Sequence, residues 1–232
     1  MSALRIVMLA PFGVRPKGTL SARMLPLARA LTRRGHSVSI VAPPVHNPQD
    51  AGRRDVYDDV QVMHTALPTR AGPVGAMQQV AALLGQALAE RPDVLHLFKP
   101  KGYSGLAALL ARAARPRLPL VVDTDDWEGW GGWNDLLPYP RFAKHLFAWQ
   151  ERDLPRRAAT VTVASRTLEG QMWGFGVAPG RVFYLPNGID REALTDNRRP
   201  PNGTQDTTRN TLLLYTRFWE LDVRDVVAAL VA

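Results

Sequence analysis

The sequence predicts a doubly wound α/β domain followed by the start of a second unit of the same kind. Two observations carry this. Short runs rich in Val, Ile and Leu alternate with longer segments of helical periodicity, and Gly or Pro punctuates most of the boundaries. Composition then changes at Asp190, before a new apolar run begins. At 232 residues, 46% hydrophobic and 22% charged, the chain is long enough to bury one large core, and global disorder is excluded.

The elements follow in order. Leu4 to Ala10 is a short apolar run closed by Pro11 and Gly13, and reads as a buried strand. After a Gly/Pro loop, Leu20, Met24, Leu27, Ala28 and Leu31 recur at helical spacing, and Gly35 ends that helix with Arg33 and Arg34 at its last turn. Ser37 to Ala42 completes a strand–helix–strand unit, the block from which parallel sheets are built. Strands are expected at Val60 to Ala66, Val94 to Phe98, Leu120 to Thr124, Ala159 to Ala164 and Arg181 to Leu185. Helices are expected at Val74 to Ala89, Gly105 to Ala114, Phe142 to Arg157 and Thr167 to Phe175, the last capped by Gly176. The expected organisation is a domain over 1–190, a linker over 191–210 and the opening of a second domain over 211–232. One strand (Thr211 to Tyr215) and one helix (Leu221 to Ala232) cannot bury an apolar face alone, so the second domain reads as truncated.

Several function classes are excluded early. There is no cysteine, hence no disulfide, thiol nucleophile or thiolate metal site. No apolar run is long enough to span a bilayer, and the N-terminus is too short in apolar residues for a secretory signal. A cytoplasmic location is compatible with all of this. The net charge of +8 resides entirely in residues 1–54, where nine Lys/Arg face the single acid Asp50. Such a patch attracts phosphates or anionic lipid headgroups, and equally suits a solvated arginine-rich helix face. Nucleic acid is not expected, because the basic stretch lacks interleaved aromatics.

Three motifs bear chemistry. Pro11 to Gly18 is a glycine-containing loop ahead of a helix, a natural seat for phosphate, although it is neither G-x-G-x-x-G nor a P-loop. A turn that needs glycine for its own geometry gives the same spelling. Asp123, Asp125, Asp126 and Glu128 crowd the end of a strand, where ligands of open α/β sheets bind and where mutual repulsion raises pKa values. Caps and loop salt bridges are the plain alternative. The D-x-D spelling Asp123-Thr-Asp125 also matches a Mg²⁺-dependent phosphohydrolase, but follows a late strand rather than the first. Trp127, Trp130 and Trp133, spaced by Gly129, Gly131 and Gly132, suit stacking on sugar rings from a loop that the glycines let move as a lid, or simple core packing. The five histidines show no ligand spacing, so no metal site is expected, and Ser165 lies in no nucleophile elbow.

Together these residues resemble family 4 glycosyltransferases. Arg5 to Ala10, Lys17-Gly-Thr19, Leu27 to Leu31 and Arg34-Gly-His-Ser-Val38 resemble the family's opening, and Pro92 to His96 resembles its "pDvvH" strand. Val163-Ala-Ser165, Gly176-Val177 and Val182 to Asp190 (Val-Phe-Tyr-Leu-Pro-Asn-Gly-Ile-Asp) resemble its "vSxxl…Gv…v.vipNGvD" signature, the most specific of these matches. The resemblance implies a GT-B architecture: a Rossmann-like, doubly wound parallel sheet as the N-terminal acceptor domain, with a truncated second Rossmann-like domain that binds the donor. It implies sugar transfer from a nucleotide-sugar donor to a sugar, lipid-linked or small-molecule acceptor, retaining and metal-independent, with no cofactor beyond that co-substrate. It also implies a chain inactive as this fragment.

By motif position, Asp125 is the implied catalytic carboxylate, with Thr124 where His or Arg is common. Gly18, Thr19 and Arg217 are implied at the donor phosphates and acceptor loop, with Thr19 in place of a second glycine. Asp126, Trp127 and Glu128 are expected at the acceptor, and Ser165, Asn187 and Gly188 at the interdomain cleft. Basic groups and helix N-termini would stabilise departing diphosphate, while a carboxylate orients the acceptor hydroxyl or supports an oxocarbenium-like ring. The basic first unit is expected at the inner face of an anionic membrane. The two departures also fit a non-catalytic module that binds a glycan or lipid-linked sugar.

Overall fold

The computed structural model describes residues 2–14, 18–57, 59–188, 224 and 227–229. In chain order the strands are β1 (Arg5–Leu9), β2 (Ser37–Ala42), β3 (Arg54–Tyr57), β4 (Val60–His64), β5 (Val94–Phe98), β6 (Leu120–Thr124), β7 (Thr160–Val163) and β8 (Val182–Tyr184). The helices are α1 (Leu25–Arg33), α2 (Gly72–Ala89), α3 (Gly102–Ala114), α4 (Trp133–Leu136), α5 (Arg141–Arg157) and α6 (Arg166–Gly174). The strands form one sheet in the order β3-β4-β2-β1-β5-β6-β7-β8. Every pairing is parallel except β3 with β4. This is a doubly wound, Rossmann-like α/β sheet, as the sequence predicts.

Alternation along the strands divides the core in two. Ile6, Met8, Ile40, Val62 and Phe98 pack with Leu20, Met24, Leu25 and Ala28 on the α1 face. Val7, Leu9, Val41, Leu97, Val122 and Val163 pack with Leu83, Ala107, Leu154 and Leu168 on the other. Burial on both faces is why these strands read as mostly apolar runs rather than strictly alternating ones.

β2, β5 and β6 span the residues expected. β3 was not anticipated: Arg-Asp-Val-Tyr has no apolar run, and Val56 is 71% exposed. It exists as an edge strand folded back on β4 through a turn at Asp59, whose φ is +66°. The start of α1 also differs from a regular helix, since Leu20–Met24 form a π-helical turn that runs directly into it. Gly35, at φ +88°, closes α1 as expected.

α3 and α5 meet closely. A Cβ on Gly105 would stand 2.8 Å from the Gln150 amide nitrogen. That fully buried amide accepts from the Gly102 N–H (2.7 Å) and donates to the Gly102 carbonyl (3.1 Å). The glutamine thereby satisfies the Gly102 N–H, one of the donors that the start of α3 leaves open.

Residues 1–190 and residues 191–232 form two separate compact units. In the second, residues 224 and 227–229 are helical, within the helix expected over Leu221 to Ala232. The expected linker, the strand from Thr211 to Tyr215, and Arg217 lie outside the described residues.

Candidate functional site

The winding of the sheet reverses at β1, which has β2 on one side and β5 on the other. In open α/β sheets the ligand crevice opens at the carboxyl ends of the strands beside such a reversal. The loops after β1, β5, β6 and β8 meet there through two cationic side chains.

The first is Arg23, held in the π-helical turn ahead of α1. Its Nε and Nη2 donate to the two oxygens of Asp123 on β6, at 2.6 and 2.7 Å. Nη1 donates to Asn187 Oδ1 (2.9 Å), beyond β8. Thr162 on β7 donates its hydroxyl to Asp123 as well. Arg23 and Asp123 are both buried. Burial alone disfavours the Arg23 cation, but the Asp123 hydrogen bonds and charge outweigh it and hold its pKa above the ordinary value. One guanidinium therefore ties the β1–α1 connection to β6 and to the turn after β8.

The second is Lys99, directly after β5. Its backbone is left-handed (φ +52°), uncommon for a residue with a side chain. Its N–H donates to the Asp123 carbonyl (3.0 Å). Its ammonium sits among Asp125 (3.4 Å), Asp126 and Glu128 (3.2 Å). Burial opposes that charge, but Asp125, Glu128 and Asp126 together raise the Lys99 pKa above its usual range. Lys101 adds an ion pair to Glu128 and lies over the Tyr139 and Phe147 rings, 4.6 and 5.0 Å from their centroids.

The acidic loop is pinned from below. Glu151 of α5 accepts from the N–H groups of Glu128 (2.6 Å) and Gly129 (3.0 Å). Burial pushes Glu151 up to about 7, against the pull of those two hydrogen bonds. Asp125 is raised to about 6, first by burial, with Asp126 and Asp123 adding to it and Lys99 and Arg23 opposing. Repulsion within the cluster thus contributes to Asp125 as the sequence suggested, but desolvation is the larger cause. His96, buried and stacked on Phe98 (centroids 4.3 Å), is lowered to about 4 by its burial and so is a neutral neighbour of Asp123.

Most of the expected site residues share this edge. Gly18 and Thr19 open the helical segment that carries Arg23. Asp125 lies two residues past the Arg23 partner, and Asn187 is itself bonded to Arg23. Gly188 follows with open space about its Cα. Asp126 keeps 41% of its side chain exposed, accessible to an acceptor. Glu128, expected at the acceptor, is instead turned inward at 3% exposure with its oxygens on Lys99 and Lys101, so it supports the loop. Ser165 commits its hydroxyl to capping α6, accepting from the Leu168 N–H (3.2 Å).

The tryptophan loop departs from the lid expectation. A Cβ at Gly132 would lie 2.1 Å from the Trp127 carbonyl oxygen, and one at Gly131 (φ +86°) 2.6 Å from the Trp127 ring. The glycines there allow close packing, and with Glu151 they fix the loop. Among the described residues no group of three or more His, Asp or Glu side chains is placed to hold a metal ion. Asp123, which a phosphohydrolase would need as a nucleophile, has both oxygens engaged by Arg23.

Arg23, Lys99, Lys101 and Glu151 were not singled out from the sequence as site residues. Their partners lie between 22 and 164 positions away, so no local pattern marks them. Pro92 to His96 did flag the strand that delivers Lys99.

Residues 18–188 match the family model described as a glycosyl transferase 4-like domain, and the chain belongs to that family. Among solved structures it resembles sucrose-phosphate synthase from Thermosynechococcus elongatus (TM-score 0.54, 15% identity, 82% of this chain and 92% of that one). HepE from Anabaena in complex with UDP-glucose aligns with TM-score 0.52 and 16% identity over 81% of this chain and 44% of that one. The UDP-GlcNAc 2-epimerase from Methanocaldococcus jannaschii gives 0.52 and 12%, over 80% and 46%. The chain thus spans less than half the length of the last two. At these identities the likeness concerns the fold. No curated protein matches.

Proposed function

We propose that this domain is the acceptor-binding half of a nucleotide-sugar-dependent glycosyltransferase, retaining and independent of metal, with Asp125 as the carboxylate at the reacting sugar. The observation that carries the reading is the placement of Asp125: largely buried at the carboxyl edge of the sheet, beside Lys99, and raised to about 6. A carboxylate in that state is poised to change protonation close to neutral pH. It orients an acceptor hydroxyl, or balances positive charge on an oxocarbenium-like ring.

The other parts follow from the same chemistry. Charge grows on the diphosphate as the glycosidic bond breaks, and Gly18 and Thr19 open the helical segment at whose N-terminal end such charge is stabilised. Arg217 is assigned by its motif position to the same diphosphate. Lys99 is a positioning residue, because its ammonium is spent on Asp125, Asp126 and Glu128 and fixes where Asp125 stands. The nucleotide-sugar donor is supported by family membership and by a fold shared with HepE, which was solved with UDP-glucose. A cytoplasmic location against an anionic membrane surface belongs to the same proposal, supported by the charge of residues 1–54.

The test is transfer from a panel of nucleotide sugars by the full-length protein. Asp125→Asn is expected to lower kcat by 100-fold or more while the protein keeps its melting temperature. Wild-type activity is expected to fall as pH drops through about 6, because the working form is the ionised carboxylate. Full activity in Asp125→Asn overturns the assignment. Saccharide binding without transfer from any donor favours the second reading, a glycan-binding module, for which Thr19 and Thr124 speak as departures from the family pattern.

A further inference from the structure

Beside the acidic loop lies a second feature, outside the chemistry above. Trp127 and Trp130 from the loop, Trp149 from α5 and Phe175 from the end of α6 wall a groove of about 410 Å³. All three tryptophans are exposed, between 39% and 47%. Large indoles left open together on a water-soluble surface mark a binding site more often than a packing accident. They are also held in place. Trp127 is wedged over Gly131 and Gly132, where any Cβ would strike it. Trp130 is braced edge-on by His145, with ring centroids 5.5 Å apart.

The groove is not purely apolar. Arg152 and Gln171 line it too, and the Gln171 side-chain oxygen is buried without a hydrogen-bond partner. Glu151, beneath it, is the same residue that fixes the backbone of Glu128 and Gly129. Groove and acidic loop are therefore built as one piece.

We propose that this groove is a carbohydrate subsite, holding a sugar ring of the acceptor beside the acidic loop. A pyranose presents an apolar C–H face to an indole and hydroxyl donors and acceptors around its rim, which suits aromatic walls interrupted by an amide and a guanidinium. A lipid chain would desolvate Arg152 and Gln171 without pairing them. Indoles already fixed by glycine and histidine lose little freedom on binding, so one ring can be held without reordering the loop. Only the word acceptor rests on the transfer reading; saccharide binding does not.

The test uses the full chain on an array of neutral hexose and N-acetylhexosamine oligosaccharides, followed by calorimetry with the best binder in free form. Wild type is expected to bind. Trp130→Ala and Trp149→Ala are expected to weaken binding tenfold or more with unchanged melting temperatures. Trp173→Ala, an exposed tryptophan of α6 outside the groove, is expected to retain it. No binding to any saccharide on the array, or binding indifferent to both groove variants, overturns the proposal. So does a dimer in sedimentation, or adsorption to phosphatidylglycerol vesicles, that the same two substitutions abolish in the absence of saccharide binding. Saccharide binding through the groove with no transfer from any donor keeps the subsite and removes the transferase reading.

Discussion

At the scale of single residues, Arg23 is the side chain whose loss reaches furthest. Asp123 is fully buried, and Arg23 engages both its oxygens. Removing one partner of a buried ion pair strands the other charge, which costs about 3–5 kcal/mol. Arg23→Ala is therefore expected to lower unfolding free energy in urea by that amount. Arg23→Lys should recover only part of it, because an ammonium lacks the planar fork that reaches two carboxylate oxygens and Asn187 together. Glu151 bears on stability in another way. Its folded-state pKa of about 7 lies above the ordinary 4.5. Its contribution is fully present below about 4.5 and is lost as pH rises through about 7. Melting scans between pH 4.5 and 8 should show wild type losing stability across that window, and Glu151→Gln losing less. An identical slope in the variant would refute the assignment.

At the scale of elements, the site depends on how α3, α5 and the acidic loop are set against the sheet. Gly105 lets α3 lie against the Gln150 amide, and that amide closes the start of α3 at Gly102. Alanine has the higher helix propensity, yet its Cβ would meet Gln150 at 2.8 Å. Gly105→Ala is expected to cost about 1–3 kcal/mol through overpacking and lost hydrogen bonds, measured by chemical denaturation. A stabilised variant would show that propensity outweighs this contact. Most elements were legible from local pattern: β2, β5 and β6 span the expected residues because both faces are largely buried and their runs are mostly apolar. β3 was not legible, because pairing with β4 rather than burial makes it a strand. The π-helical turn at Leu20–Met24 left no mark in the periodicity either.

At the scale of the whole molecule, the excess of +8 charges in residues 1–54 is less free than the sequence implies. Arg23 is paired with Asp123, Arg5 with Asp93, and Arg53 with Asp50 and Asp55. Among the described residues no helix is long and apolar enough to cross a membrane. Surface attraction would then rest on the net positive charge of that segment and be screened by salt. Co-sedimentation with vesicles containing phosphatidylserine is expected at low ionic strength and should be mostly lost by 0.5 M salt. Adsorption equal on neutral vesicles would exclude the electrostatic contact.

The sequence alone determined the α/β class, the positions of most strands and helices, and the clustering of acids at the end of β6. Those depend on burial periodicity and on Gly and Pro, which act over a few residues. Only the tertiary structure decided which acids face inward. Asp123 and Glu128 became supports because Arg23, Lys99 and Lys101 arrive from distant segments to bind their oxygens, whereas Asp125 keeps a buried oxygen without a hydrogen bond. Ion pairing between residues as far as 100 positions apart is set by the order of strands in the sheet, and no local spacing encodes it.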